Sequence, residues 1–260
     1  AVLTGAVLTP KKADPPRHSG ARKGMELFVH TVFLLCGIVA VAFVLFISIY
    51  LIISGLPAIR TIGLKDFLLG QVWAPTATTV EPSYGILPFI LTSVYGTAGA
   101  VVIGVPVGMM TAMFLAKVAP PKAAAVIRTA VELLAGIPSV VYGLVGMIVL
   151  VPAVQNAFGL SSGACLLSAI IVLAIMILPS IINVSETALR AVPKEYEEAS
   201  LALGATEMET NFRVILPAAR SGVATAVVLG VGRAIGEAMA IIMVAGNVAN
   251  MPGLFTSVRF

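Results

Sequence analysis

Residues 133–185 read LLAGIPSVVYGLVGMIVLVPAVQNAFGLSSGACLLSAIIVLAIMILPSIINVS, and no charged residue interrupts them. About 20 apolar residues in a helix are enough to cross a bilayer core of about 30 Å, so this stretch is too long for a single crossing. Residues typical of a turn lie in its middle: Pro152, Gln155, Asn156, Gly159, Ser161 and Ser162. The stretch therefore predicts two membrane helices, at residues 133–151 and 163–182.

The composition of the whole chain agrees with a membrane protein. Of its 260 residues 59% are hydrophobic and 11% are charged, whereas about 25% are charged in an average soluble domain. So few polar residues cannot cover the surface of a soluble globule, which excludes a soluble enzyme, a disordered chain and a nucleic-acid-binding module. The net charge of +4 is then a property of membrane-flanking loops and does not indicate a nucleic-acid partner.

Three further apolar segments are long enough to cross a bilayer, at residues 27–53, 86–115 and 223–244. Together with the first two they predict an all-α, polytopic transmembrane bundle of five spans over residues 25–260. Residues 1–24 are polar, basic and proline-containing, and predict a disordered tail rather than a signal peptide.

The distribution of Lys and Arg predicts the orientation. With the N-terminus inside, the inner segments carry twelve of these residues and the outer segments three. Because basic residues concentrate on the cytoplasmic side, we expect a multi-pass membrane protein with a cytoplasmic N-terminus.

The loop at residues 185–220 differs from the rest of the chain because it contains six acidic and four basic residues. Its composition predicts a short helix that ends at Gly204 and a second amphipathic helix, at residues 207–216, that ends before Pro217. Two short helices at an angle would form a compact cytoplasmic knob.

The same loop resembles the EAA loop of ABC importer permeases. The family pattern is Glu-Ala-Ala, three residues, Gly, nine residues, Ile, one residue and Leu-Pro. Two positions depart mildly from it, Ser200 and Val214. Five positions match it: Glu198, Ala199, Gly204, Leu216 and Pro217. The resemblance implies that these residues couple the chain to a separate ATPase subunit.

Two other segments resemble permeases of the phosphate-specific transporter. Residues 134–143 are similar to the third helix of such permeases, and residues 232–247 are similar to the fifth helix of the C-type subunit. The resemblance implies the fold of an ABC type I importer permease (MetI-like) and a location in a bacterial inner membrane. Its implied partners are a homologous A-type permease, an ATP-binding subunit dimer, an extracytoplasmic phosphate-binding protein and membrane lipid, without nucleic acid. Members of the family have a sixth helix, so we expect that the sequence is truncated at its C-terminus.

Arg233 and Glu237 are charged residues inside the fifth predicted span. A charge at the centre of a bilayer costs roughly 2.5–3.5 kcal/mol, so residues of this kind are candidates for function. Their spacing of four residues predicts one helix face and an ion pair. A guanidinium group matches the oxygens of phosphate, and Glu237 would hold Arg233 when no anion is bound. The resemblance also implies that both residues take part in transport.

A proline, a serine, one acidic residue and two pairs of glycines give weaker indications. Pro138 and Ser139 would line the pathway or only kink the third helix. Glu132 lies four residues after Arg128 and is expected beside it. The pairs Gly104/Gly108 and Gly232/Gly236 predict close approach of helices.

The sequence also argues against several kinds of site in this chain. It contains no P-loop motif, so ATP and Mg are expected on a partner subunit, with no enzymatic activity and no cofactor here. Two isolated histidines, and two cysteines (Cys36 and Cys165) in apolar stretches, predict no metal site and no disulfide.

The sequence by itself leaves alternatives to a phosphate permease open. Arg233 by itself does not distinguish phosphate from sulfate or molybdate. A secondary transporter or a channel would leave the EAA-like loop unexplained, and it predicts internal repeats and broken helices near the midplane. A membrane scaffold or sensor would leave Arg233 and Glu237 as structural residues only.

Overall fold

A computed structural model describes residues 20–76 and 81–258, and most of the predicted tail at residues 1–24 lies outside them. The chain divides into two units, one ending at Thr61 and one beginning at Ile62. Helix α1 (Gly20–Ile62), except for its last residue, makes up the described part of the first unit, and it begins inside the predicted tail. From Gly24 on, its side chains are exposed almost throughout although most are apolar.

The second unit begins with a short helix and a small hairpin and continues as a helical bundle. The elements in chain order are α2 (Leu64–Leu69), β1 (Trp73–Ala74), β2 (Ser83–Tyr84), α3 (Leu87–Met113), α4 (Pro121–Gly136), α5 (Ser139–Val145), α6 (Val151–Phe158), α7 (Leu166–Arg190), α8 (Lys194–Ala202), α9 (Glu207–Thr210), α10 (Leu216–Ala218), α11 (Arg220–Ile235) and α12 (Met239–Val244). Strands β1 and β2 pair antiparallel, with Trp73 opposite Tyr84.

Within the described residues, four helices are long and apolar enough to cross a membrane, or five if one bent pair is counted as a single span. The four are Gly24–Ile62, Leu87–Val118, Ser139–Phe158 and Leu166–Arg190, and the bent pair is Glu207–Ala218 with Arg220–Ile235. The chain is thus a multi-pass, all-α membrane protein.

Helix α7 forms the centre of the bundle and packs mainly against α3 and α11. Leu173, Ile177 and Ile181 on α7 are fully buried. Gly104 and Gly108 on α3 face this helix, and a Cβ atom at either position would lie 2.8 Å from Ile177 or Ile181. The small-residue pair of α3 therefore lets two helices approach closely, as predicted.

The other glycine pair does not pack in this way. A Cβ atom at Gly232 would meet nothing within 4 Å, and one at Gly236 would meet only carbonyl oxygens of α11 itself. The prediction of close helix approach at Gly232/Gly236 is wrong for the contacts that the structure describes.

The third predicted span, residues 133–151, is not one continuous helix. Helix α4 ends at Gly136, Ile137 is extended (φ −71°, ψ 127°) and Pro138 precedes the first residue of α5. The ring of a proline disfavours helical backbone at the residue before it, which explains the break. The helix of membrane length instead runs from Ser139 to Phe158.

The fifth predicted span, residues 223–244, is also interrupted. Helix α11 ends at Ile235, and α12 begins at Met239 after Gly236, Glu237 and Ala238. Because α12 has only six residues, it does not extend α11 into a full crossing.

Three π-turns occur in the described residues: Phe114–Val118, Gly146–Leu150 and Asn211–Ile215. Each ends two residues before a proline: Pro120, Pro152 or Pro217. The residue after each turn donates its N–H to the carbonyl five positions earlier. Pro152 and Pro217 lie in a helix that continues past the turn, where the proline ring would clash with the carbonyl four positions earlier, and a widened turn relieves that clash. Pro120 lies outside the helix, since Ala119 and Pro120 are extended.

Candidate functional site

Arg233 lies in the last turn of α11 and is half-buried. Its Nη1 donates a hydrogen bond to the hydroxyl of Ser180 on α7, 3.3 Å away. Ser180 follows Pro179 in the most buried helix of the bundle. Helix α7 thus fixes one nitrogen of the guanidinium, and the group keeps further N–H donors.

Glu237 lies in the break after α11 and not on its surface. Its carboxylate accepts a hydrogen bond from the backbone N–H of Ala240, at 3.1 Å, in the first turn of α12. The described ion pairs do not include Arg233 with Glu237. The prediction that the two share one helix face and pair is therefore wrong, because the helix ends between them.

Each of the two charged residues instead lies at a helix end whose partial charge is opposite to its own. Partial negative charge accumulates at the C-terminus of a helix and partial positive charge at the N-terminus. Arg233 occupies the C-terminal turn of α11, and Glu237 precedes the N-terminal turn of α12. Each charge is thus stabilised separately, which leaves Arg233 without a carboxylate partner among the described ion pairs.

Pro138 and Ser139 lie at the other helix break. The hydroxyl of Tyr142 on α5 donates to the carbonyl of Leu134 on α4, at 2.7 Å, and so braces the two segments. Gly143 on α5 contacts α12 so closely that a Cβ atom there would lie 2.9 Å from the Cα of Ala240. The segments that follow the two breaks therefore pack against each other.

The loop at residues 185–220 forms two short helical arms, as predicted. Gly204 adopts φ +87° after α8, a backbone conformation that glycine adopts readily. Thr206 and Glu209 form a capping box at the start of α9. Hydrogen bonds from the N–H and hydroxyl of Thr206 lower the pKa of the Glu209 carboxyl.

The second arm does not end before Pro217. It continues from α9 through a π-turn into α10, which contains Pro217 and ends at Ala218. Leu216 packs on the buried cluster around Leu189 and Ile215, which ties this arm to α7. Glu198 and Ala199, by contrast, are exposed on α8.

A group of charged side chains between the loop and the helices was not predicted from the sequence. Lys117 pairs with Glu197 at 2.5 Å. Glu186, whose side chain is only 7% exposed, pairs with Arg128 at 2.5 Å and with Arg190 at 2.9 Å. A second nitrogen of Arg190 donates to the carbonyl of Leu115 at 2.7 Å.

Glu132 lies near Arg128, as expected, but the ion-pair partner of Arg128 is Glu186 on α7, through a hydrogen bond. That hydrogen bond raises the pKa of the Arg128 guanidinium. The signal in the sequence was Glu186 itself, because it is the first charged residue after the long apolar stretch that ends at Ser185. Of its two partners, Arg190 is four positions away along the chain, whereas Arg128 is distant in sequence.

The comparisons with known proteins agree with one another. The family model for the binding-protein-dependent transport system inner membrane component matches residues 104–257, more than half of the chain. The probable ABC transporter permease protein YqgH of Bacillus subtilis is 41% identical over 84% of this chain and 70% of that protein. The phosphate transport system permease protein PstC of Xylella fastidiosa (strain 9a5c) is 34% identical over 96% of this chain and 82% of that protein.

A solved structure of the MetNI methionine ABC transporter in inward-facing conformations has a TM-score of 0.48 and 24% identity, over 65% of this chain and 74% of that chain. The residues matched by the family model include both helix breaks and the whole loop at residues 185–220.

Proposed function

Since the chain belongs to the family of binding-protein-dependent transport system inner membrane components, an ABC permease family, we propose that it imports inorganic phosphate. In this proposal it forms half of the translocation pathway of an ATP-driven importer. It performs transport without covalent chemistry. Its N-terminus and the loop at residues 185–220 face the cytoplasm.

The observation that carries the proposal is the position of Arg233. The guanidinium is half-buried at a helix break and is held by Ser180, without a carboxylate partner among the described ion pairs. An arginine in such a place offers a planar set of N–H donors that fits a tetrahedral oxyanion. The phosphate transport permease PstC, to which the chain is similar over most of its length, supports phosphate as that oxyanion.

The two helix breaks also support the proposal that the translocation pathway runs through this region. Backbone that is not helical is tolerated at membrane depth where it lines a water-filled cavity or is buried in protein. Pro138, Ser139 and Glu237 lie at the two breaks, and the following segments pack together. We assign Arg233 and Glu237 to substrate translocation, and Pro138 and Ser139 to the lining of the pathway.

The loop at residues 185–220 would couple this pathway to ATP hydrolysis. The family implies an ATPase and a substrate-binding partner. We propose an ATPase dimer that holds ATP and Mg, a homologous second permease, an external phosphate-binding protein and surrounding lipid. Glu198, Ala199 and Gly204 would lie at the ATPase contact, while Leu216 and Pro217 connect the loop to the bundle.

The test is uptake of radiolabelled phosphate by proteoliposomes that contain the complete complex. We expect that Arg233→Ala abolishes uptake while the complex still assembles, because the anion loses its main donor. Arg233→Lys should retain a small part of the activity, since the charge remains without the planar fork. Arg60→Ala, at an exposed arginine of α1, is the matched control and should transport normally.

Normal uptake by assembled Arg233→Ala would contradict the proposed role of this residue. Competition by sulfate and molybdate distinguishes the remaining alternative, another oxyanion, because either would then displace phosphate at equal concentration.

A further inference from the structure

Five charged side chains and one carbonyl form a continuous series of contacts from α8 to α4. We call this series the polar chain. Its members are Glu197, Lys117, the Leu115 carbonyl, Arg190, Glu186 and Arg128.

The first link joins the loop to the end of the α3 span. Glu197 on α8 pairs with Lys117 in the π-turn after α3, and their side chains are 35% and 14% exposed. Its neighbours Glu195 and Glu198 on the same helix are exposed and take part in none of the described ion pairs. Of the three acids, Glu197 is therefore the one positioned to connect α8 with the membrane helices.

The second link joins that π-turn to α7. The carbonyl of Leu115 accepts a hydrogen bond from Nη2 of Arg190, and the Leu115 side chain is 2% exposed. Arg190 also donates from Nε to Glu186, one helical turn earlier. One guanidinium thus holds the π-turn and the acidic residue of α7 in a fixed relation.

The third link joins α7 to α4. Arg128 donates to the same oxygen of Glu186 as Arg190 does. The carboxylate is nearly buried and is shared by two guanidinium groups. Loss of either group would leave its negative charge poorly compensated and would destabilise this contact. Helix α4 ends eight residues later at Gly136, directly before the break at Ile137 and Pro138.

We infer that the polar chain positions α4 relative to α8, so that movement of the loop is transmitted to the helix break at Pro138. Lys117, Glu197, Arg128, Glu186 and Arg190 are positioning residues in this inference, which rests on the proposed coupling of the loop to an ATPase. Beyond the break, α5 contacts α12 through Gly143 and Ala240. The chain of contacts thereby reaches the segment that Glu237 caps.

The experiment measures movement at the break without using the substrate. A cysteine replaces Gly136, where a Cβ atom meets nothing within 4 Å, in a chain that carries Cys36→Ser and Cys165→Ala. The complex is reconstituted with its ATPase, and the rate of labelling by a charged maleimide is compared without nucleotide and with ATP plus vanadate. We expect the rate to differ between the two states.

Reversing one charge of the first link should weaken the transmission. Lys117→Glu and Glu197→Lys are each expected to reduce the nucleotide-dependent change in labelling by about fivefold. The double variant, with the two charges exchanged, should restore it. Lys122→Glu and Glu195→Lys are the matched controls, since both residues are exposed and take part in none of the described ion pairs. These controls should leave the change intact.

The inference is overturned if the single variants label as the parent does, if the assembled double variant fails to restore the change, or if the parent shows no change at Gly136→Cys. Co-purification of the ATPase checks assembly. Where a reversed charge prevents assembly, Lys117→Gln and Glu197→Gln take its place. A parent that shows the labelling change but takes up no phosphate contradicts the proposed substrate and leaves the polar chain standing.

Discussion

At the scale of single residues, burial and the available partner decide the role of a polar group in this chain. Arg233 and Glu237 are four positions apart, yet each is held by a different helix. Glu186 contacts two arginines, one of them 58 positions away. The sequence identified Arg233 and Glu237 as candidates but not Glu186, and the partners of all three depended on where each helix ended and on which helices packed together.

Two buried serines of α7 provide a prediction at this scale. Ser168 donates to the carbonyl of Gly163 at 2.6 Å, whereas the Ser185 hydroxyl has no hydrogen-bond partner among the described residues. Both residues are fully buried. Ser168→Ala should lower stability by about 1–2 kcal/mol, because a buried carbonyl loses its donor. Ser185→Ala should leave stability unchanged or raise it slightly.

The measurement is the midpoint of thermal unfolding of the detergent-solubilised protein. A lower midpoint for Ser185→Ala than for Ser168→Ala would contradict the contacts described for the two hydroxyls.

At the scale of elements, prolines and glycines explain much of the architecture. Pro138 breaks the third predicted span, and a π-turn precedes each of Pro120, Pro152 and Pro217. The sequence contained the prolines, but it did not distinguish a kinked helix from a broken one. The break after Arg233 has no proline at all. The carboxylate of Glu237, which caps α12, stabilises the new helix start there.

The two glycine pairs provide a prediction at this scale. Gly104→Ala should destabilise the bundle by about 1–3 kcal/mol, because the new methyl group would lie 2.8 Å from Ile177 and 3.3 Å from the carbonyl oxygen of Ala174. Gly232→Ala is the matched change on an exposed face of α11, where it meets nothing within 4 Å. It should be neutral or stabilising by up to about 1 kcal/mol, since alanine favours helix more than glycine does.

Thermal unfolding of the two variants in the same detergent tests the difference. Equal midpoints would mean that α3 and α7 do not approach each other as closely as described.

At the scale of the whole molecule, the loop at residues 185–220 presents apolar side chains outward. Leu203 is 89% exposed and directly precedes the turn at Gly204, and Met208 is 65% exposed. Exposed apolar residues rimmed by polar ones are typical of an interaction site. In the proposed importer this surface meets the ATPase.

Leu203→Glu should therefore release the ATPase without affecting the fold of the permease. We expect co-purification of the ATPase to fall by at least about tenfold, because a charge would have to be buried at the contact. Leu64→Glu is a matched control at a leucine of α2 that is 60% exposed and lies on the opposite side in the proposed orientation. Retention of the ATPase by Leu203→Glu would place the contact elsewhere.

The sequence by itself determined the class of the protein and the location of its charged features. The free energy of transferring apolar surface out of water depends on the amount of that surface and not on how the segments pack. Long apolar segments therefore exclude a soluble fold. The composition of the loop at residues 185–220 likewise predicted two short arms joined at Gly204, since a turn of this kind is a local property.

Only the tertiary structure decided where the helices break and which charges meet. A continuous apolar pattern is compatible with one helix or with two, and the difference lies in contacts such as Gly143 with Ala240 and Ser180 with Arg233. The polar chain likewise joins residues from four separate elements, so no local pattern reveals it. Long-range pairing is set by the packing of α3 and α4 against α7 and of α8 against the π-turn at Asn211–Ile215, and packing is a property of the folded bundle.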